Sequence, residues 1–79
     1  MTNEQIFKSI LPQENFMTTA IIEYIKNKQY VCELARCSFL DGTIYGVTVV
    51  NIETRKHEID LGKPCQTLQE ATDYIASLN

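Results

Sequence analysis

Three thiols and one imidazole are the first candidates in this sequence for a metal site or a nucleophile–base pair: Cys32, Cys37, Cys65 and His57. Cys32 and Cys37 fall in the stretch YVCELARC, which reads as β-strand. Successive side chains on a strand point to opposite faces, so residues an odd number apart lie on opposite sides. These two cannot share an ion unless a β-bulge separates them. Neighbouring thiolate ligands ordinarily come as C-x-x-C in a turn. A Cys₃His zinc site can be drawn from the four residues on paper, but the spacing gives it no support. The simpler reading is that Cys32 and Cys37 are small buried apolar groups. No metal and no cofactor is expected.

Cys65 stands apart. It lies two residues before Thr67, the expected N-cap of a helix, and follows Lys63 and Pro64. A helix N-terminus and a nearby ammonium both favour a thiolate, so its pKa is expected to fall. A redox or nucleophilic role would also need a base or a resolving partner. His57 is the only histidine, and sequence alone does not bring it to Cys65. Glu58 and Asp60 would share one face of a strand, and paired carboxylates can move protons or hold Mg²⁺. The alternate positions, Ile59 and Leu61, are apolar, so the acids are read as that strand's wet side. The three glycines, at 42, 46 and 62, are too scattered for a phosphate loop. No catalytic set assembles, and the chain is read as a non-enzyme.

Composition narrows the class further. Seventy-nine residues make one domain, spanning 1–79, with a modest core. Apolar residues at 44% and charged residues at 22% are ordinary globular values, which excludes a disordered chain. No apolar run approaches the ~20 residues of a membrane span. The opening MTNEQIFKSI has no signal-peptide character, and three cysteines do not make a disulfide framework. A cytoplasmic protein with reduced thiols is expected, with no membrane partner. The net charge of −3 disfavours general nucleic-acid binding.

The elements that must position these groups follow from periodicity and punctuation. Thr2 and Gln5 have capping-box spacing, and Ile6, Phe7, Ile10 and Leu11 fall on one helical face, predicting a short helix over 2–11. Residues 16–26 fit two patterns. Glu14 in a first turn and terminal lysines favour a helix, whereas the β-branched and aromatic content favours a strand. The strand is preferred, with KNKQ (26–29) as a tight turn in which Asn27 takes positive φ. Residues 30–39 and 43–52 form strands joined at Asp41-Gly42, a strong hairpin signal. Gly46 inside the second of these marks a bulge or a close backbone approach. ETRK turns the chain into a short strand, HEIDL (57–61), with Ile59 and Leu61 on one face. Thr67 and Glu70 form a second capping box, and Leu68, Ala71, Ile75 and Leu78 make the stripe of a helix over 67–78.

The predicted fold is therefore α+β: a three- or four-stranded antiparallel β-meander with a short N-terminal helix and a C-terminal helix packed on the sheet. In such a meander the turns at 26–29 and 53–56 share one end. That end gathers Lys26, Lys28, Arg55 and Lys56, with His57 beside them, as a candidate partner-binding rim. Strand 43–52 is apolar on both alternations, so either the helices cover opposite faces or another molecule, such as a second copy, covers part of one. The leading expectation is a non-catalytic module that binds another protein, as a regulator or inhibitor does. Nucleic-acid binding at the basic rim and thiol redox chemistry at Cys65 are the alternatives.

Overall fold

The structure is a computed structural model that describes residues 1–12 and 19–79. It shows the α+β meander: helix α1 (Asn3–Ile10), strands β1 (Thr19–Asn27), β2 (Tyr30–Phe39), β3 (Gly42–Asn51), β4 (Lys56–His57) and β5 (Lys63–Cys65), then helix α2 (Leu68–Ser77). The sheet runs β1-β2-β3-β4, all antiparallel, and β5 joins the outer side of β3 beside β4. The expected strand within 16–26 is present from Thr19; positions 16–18 lie outside the described residues.

Helix α1 starts with its full capping box, whereas α2 forms only the Thr67 half of the one expected, Glu70 turning to Cys65 instead. Thr2 Oγ1 accepts from the Gln5 backbone N–H at 3.1 Å, and Gln5 Oε1 accepts from the Thr2 N–H at 2.9 Å. In α2 the Thr67 hydroxyl accepts from the Glu70 N–H at 3.0 Å. The two helices then cover opposite faces of the sheet, which explains why β2 and β3 are apolar on both alternations. On one face, Phe7 of α1 packs with Val31 and Val50, flanked by Ile6, Ile10, Leu11, Tyr24 and Ile52. On the other, Ala71, Ile75 and Leu78 of the α2 segment pack with Tyr30, Cys32, Leu34, Val47, Val49 and Cys65. Leu68, expected in the α2 stripe, is instead 44% exposed.

Three local expectations are corrected. The tight turn after β1 is present, but Lys28, not Asn27, holds the positive φ of 56°. Asn27 is drawn elsewhere: its Nδ2 donates to the carbonyls of Ile75 and Leu78, both at 2.8 Å, at the end of α2. HEIDL is not one strand. It breaks after His57 into a 3-10 turn, Ile59–Leu61, whose Leu61 N–H donates to Glu58 O at 3.1 Å. With about three residues per turn, positions two apart no longer share a side. Leu61 accordingly packs into the α2-side core, its carbonyl held by the Tyr74 hydroxyl at 2.6 Å, while Ile59 is exposed. Gly46 marks neither a bulge nor a close approach: the β2–β3 register is unbroken, and a Cβ there would meet nothing within 4 Å.

Candidate binding surface

Strand alternation decides the cysteines. The β2–β3 ladder runs without a shift from Tyr30↔Asn51 to Phe39↔Gly42, so Cys32 and Cys37 point to opposite faces. The one irregularity beside them lies on β1, between Ile21 and Glu23. Cys32 is wholly buried under α2, and burial pushes its thiol up to about 11. Cys65 sits opposite Tyr45 and is 1% exposed. Its pKa is raised, first by burial, then by the nearby Glu70 carboxylate acting as hydrogen-bond acceptor and negative charge; Lys63 pulls the other way and is outweighed. The expected lowering at the helix entrance is therefore reversed, first because the thiol is buried and then because the Glu70 carboxylate stands beside it. Lys63 also stacks over the Tyr74 ring at 5.0 Å.

Among the described residues neither a second thiol nor His57 stands beside Cys65. Cys32 pairs with Val49 and Cys65 with Tyr45, two strands apart and offset by four residues along β3. At ~3.4 Å per residue and ~4.8 Å per strand their backbones lie about 16 Å apart, too far for a disulfide. His57 is exposed and pairs with Val50, on the α1 face; Cys65 points to the α2 face. Glu58 caps the 3-10 turn and Asp60 lies within it, so the two no longer share a strand face. Among the described residues no three His, Cys, Asp or Glu side chains converge, and no helix is long and apolar enough to cross a membrane.

The basic rim is brought together at one end of the sheet. The Ile52 N–H donates to Gln29 O at 2.7 Å, which sets the β3–β4 turn against the β1–β2 turn. Lys26, Lys28, Arg55, Lys56 and His57 are all exposed there. Two of them are engaged within the chain: Arg55 Nη2 donates to Ser9 Oγ at 3.0 Å and Lys28 Nζ to Asn79 Oδ1 at 3.3 Å. Glu53, exposed in the same turn, reduces the local positive potential.

The opposite end of the sheet holds a surface that sequence reasoning missed. There β2 and β3 carry Phe39, Leu40 and Ile44 with 54%, 110% and 38% of their surface exposed. Leu40 occupies the turn itself, next to Asp41. Such positions favour Asn, Asp or Gly, so a leucine in SFLDG was a legible signal. Phe39, Asp41, Gly42, Thr43, Ile44 and Gln66 line an open cleft of about 410 Å³ at this end.

A second unforeseen feature is Glu33, 4% exposed on the α1 face. The Tyr24 hydroxyl donates to its Oε2 at 3.1 Å, and the Tyr24 ring meets Phe7 with centroids 5.4 Å apart. Burial raises the Glu33 pKa against the lowering effects of Tyr24 and Lys8. Burial and the same carboxylate push Tyr24 up to about 12. The residue signals itself in sequence only as a lone acid in a strand apolar on both sides. No known protein family, curated protein or solved structure matches this chain.

Proposed function

We propose that this chain is a small, non-catalytic, cytoplasmic protein-binding module that recognises a partner protein, as a regulator or inhibitor does, through the projecting end of its β2–β3 hairpin. The observation that carries this reading is the exposure of Phe39, Leu40 and Ile44 on strands whose other ends are buried on both faces. Contiguous apolar side chains left in water on a small domain mark interaction sites, and an aromatic beside an aliphatic knob suits a partner's pocket. The test compares immobilised wild-type protein with Leu40→Glu, both first shown to unfold at the same temperature. A protein retained from lysate by the wild type and lost by the variant is the expected result. Equal capture by both, or none by either, overturns the reading.

The cationic end supports a second reading, contact with nucleic-acid phosphates, because two turns place Lys26, Lys28, Arg55, Lys56 and His57 together. The net charge of −3 weighs against it. Binding to short DNA or RNA at low salt, falling steeply as salt rises, is its required signature.

A further inference from the structure

Strand β3 is paired with β2 along its whole length, but its outer side is filled piecemeal. Val50 and Asn51 pair with β4 there, and Tyr45, Gly46 and Val47 with β5. The lane that β5 follows ends at Cys65, because the chain leaves through Gln66 to the Thr67 cap of α2. Gly42, Thr43 and Ile44 therefore have no strand on that side among the described residues.

The direction of their backbone groups follows from the ladder. Glu58 N–H donates to Val49 O at 2.9 Å, so the odd-numbered residues of β3 direct their polar groups outward. Pro64, which has no N–H, sits opposite Gly46, whose own groups turn toward β2. With the β2–β3 register unshifted, the alternation carries on to Thr43. Its N–H and C=O face the open lane, which runs into the cleft lined by Phe39, Asp41, Ile44 and Gln66.

We propose that this lane receives an extended, basic segment of the partner protein, laid antiparallel to Gly42–Ile44 in continuation of β5. Its backbone pairs with Thr43 beyond the point where Gln66 leaves the lane, an apolar side chain opposite Gly42 packs on Ile44 and Phe39, which share that face, and a lysine or arginine meets Asp41. Strand addition of this kind draws affinity from main-chain bonds and selectivity from alternate side chains. Charge selects the occupant, since Asp41 is the charged group of the lining and the whole chain carries −3, so an acidic segment is repelled. The outer edge of β1 is a poorer template: it carries the irregularity between Ile21 and Glu23 and the exposed Lys26, features that discourage edge pairing. This inference rests on the protein-binding reading and names the chemistry of what binds.

The test titrates the ¹⁵N-labelled full chain with two acetylated, amidated pentapeptides, Lys-Val-Thr-Val-Lys and Glu-Val-Thr-Val-Glu. The basic peptide is expected to move the amide signals of Gly42, Thr43 and Ile44 at millimolar concentration and to slow hydrogen exchange at Thr43. The acidic peptide should bind roughly tenfold more weakly. Thr43→Pro removes the N–H aimed into the lane at no cost to the β2 ladder, and should weaken the basic peptide about tenfold or more. Asp41→Asn keeps the turn chemistry and should weaken it about threefold. An unmoved Thr43 signal, equal binding of both peptides, or shifts confined to Thr19–Asn27 overturns the proposal. So does a Thr43 signal that depends on protein concentration without peptide, which would place a second copy in the lane. Partner capture sensitive to Leu40→Glu beside a silent Thr43 would leave the binding module standing and remove this lane alone.

Discussion

Asn27 ties the last turn of α2 to the sheet, and its removal tests how far one side chain holds the two together. The final carbonyls of a helix have no partner within it. Here Asn27 Nδ2 donates to Ile75 O and Leu78 O, both at 2.8 Å. Ile75 O also accepts from the Leu78 N–H at 3.2 Å, so it keeps one donor when Asn27 is cut back. Leu78 O keeps none among the described residues. A net hydrogen bond is worth about 1 kcal/mol, and a stranded acceptor costs about 1–3 kcal/mol. Because the site is only part-buried, Asn27→Ala should cost about 2 kcal/mol. Unfolding entropy of about 2.1 cal/mol/K per residue then gives a fall in Tm of about 12 °C for 79 residues. Asn27→Asp should cost more, since it swaps a donor for an acceptor and sets a negative charge at a helix C-terminus. That extra cost should shrink as pH falls toward about 4, the unfolded value, and be gone below it, because the acid regains a proton to donate. Urea unfolding followed by far-ultraviolet circular dichroism measures all three proteins with the slope m as a control. An alanine loss under about 0.5 kcal/mol, or equal losses for alanine and aspartate at neutral pH, refutes the reasoning.

Other consequences are as direct. Glu33 has a raised pKa in the folded state, so folding takes up a proton there, and its contribution to stability falls as pH rises from the unfolded value, about 4.3, through the folded one. Glu33→Gln keeps an acceptor for Tyr24 and should gain on the wild type over that window, which paired unfolding curves across pH will show; a constant difference contradicts it. Native-state alkylation near neutral pH should modify Cys37 before Cys32 or Cys65, whose thiols burial holds protonated, and mass mapping of a partial reaction reads the order. Lys28→Gly should stabilise by about 0.5–1 kcal/mol, since glycine takes a φ of 56° without the steric cost lysine bears. Thermal melts decide that sign. Leu34→Ala, at a side chain 1% exposed in the α2-side core, should lose about 2–5 kcal/mol.

What could be read along the chain was local. The caps at Thr2 and Thr67 formed because each needs only a hydroxyl and an amide three residues on. A hairpin formed where Asp41-Gly42 signalled one, although its turn is Leu40-Asp41 and Gly42 pairs with Phe39, and the two-residue period separates Cys32 from Cys37. The double apolar alternation of β3 correctly announced cover on both faces. The reading failed where a distant group competed for a local one. Asn27 gave up the turn because two helix carbonyls, 48 and 51 residues away, claim its amide. Packing of β5 under α2 buries Cys65, and that burial, with Glu70 beside the thiol, raises its pKa where sequence had it fall.

By itself, then, the sequence determined both helices, the two long central strands and which alternate side chains they bury, but not the break of HEIDL into a 3-10 turn nor the strand β5. Tertiary structure alone decided where the sheet outruns its helices, leaving Phe39, Leu40 and Ile44 in water and Thr43 facing a lane that holds no strand among the described residues. The reason is physical. Periodicity and capping act over three or four residues, whereas exposure at a sheet's end depends on where two helices, docked by packing on opposite faces, happen to stop.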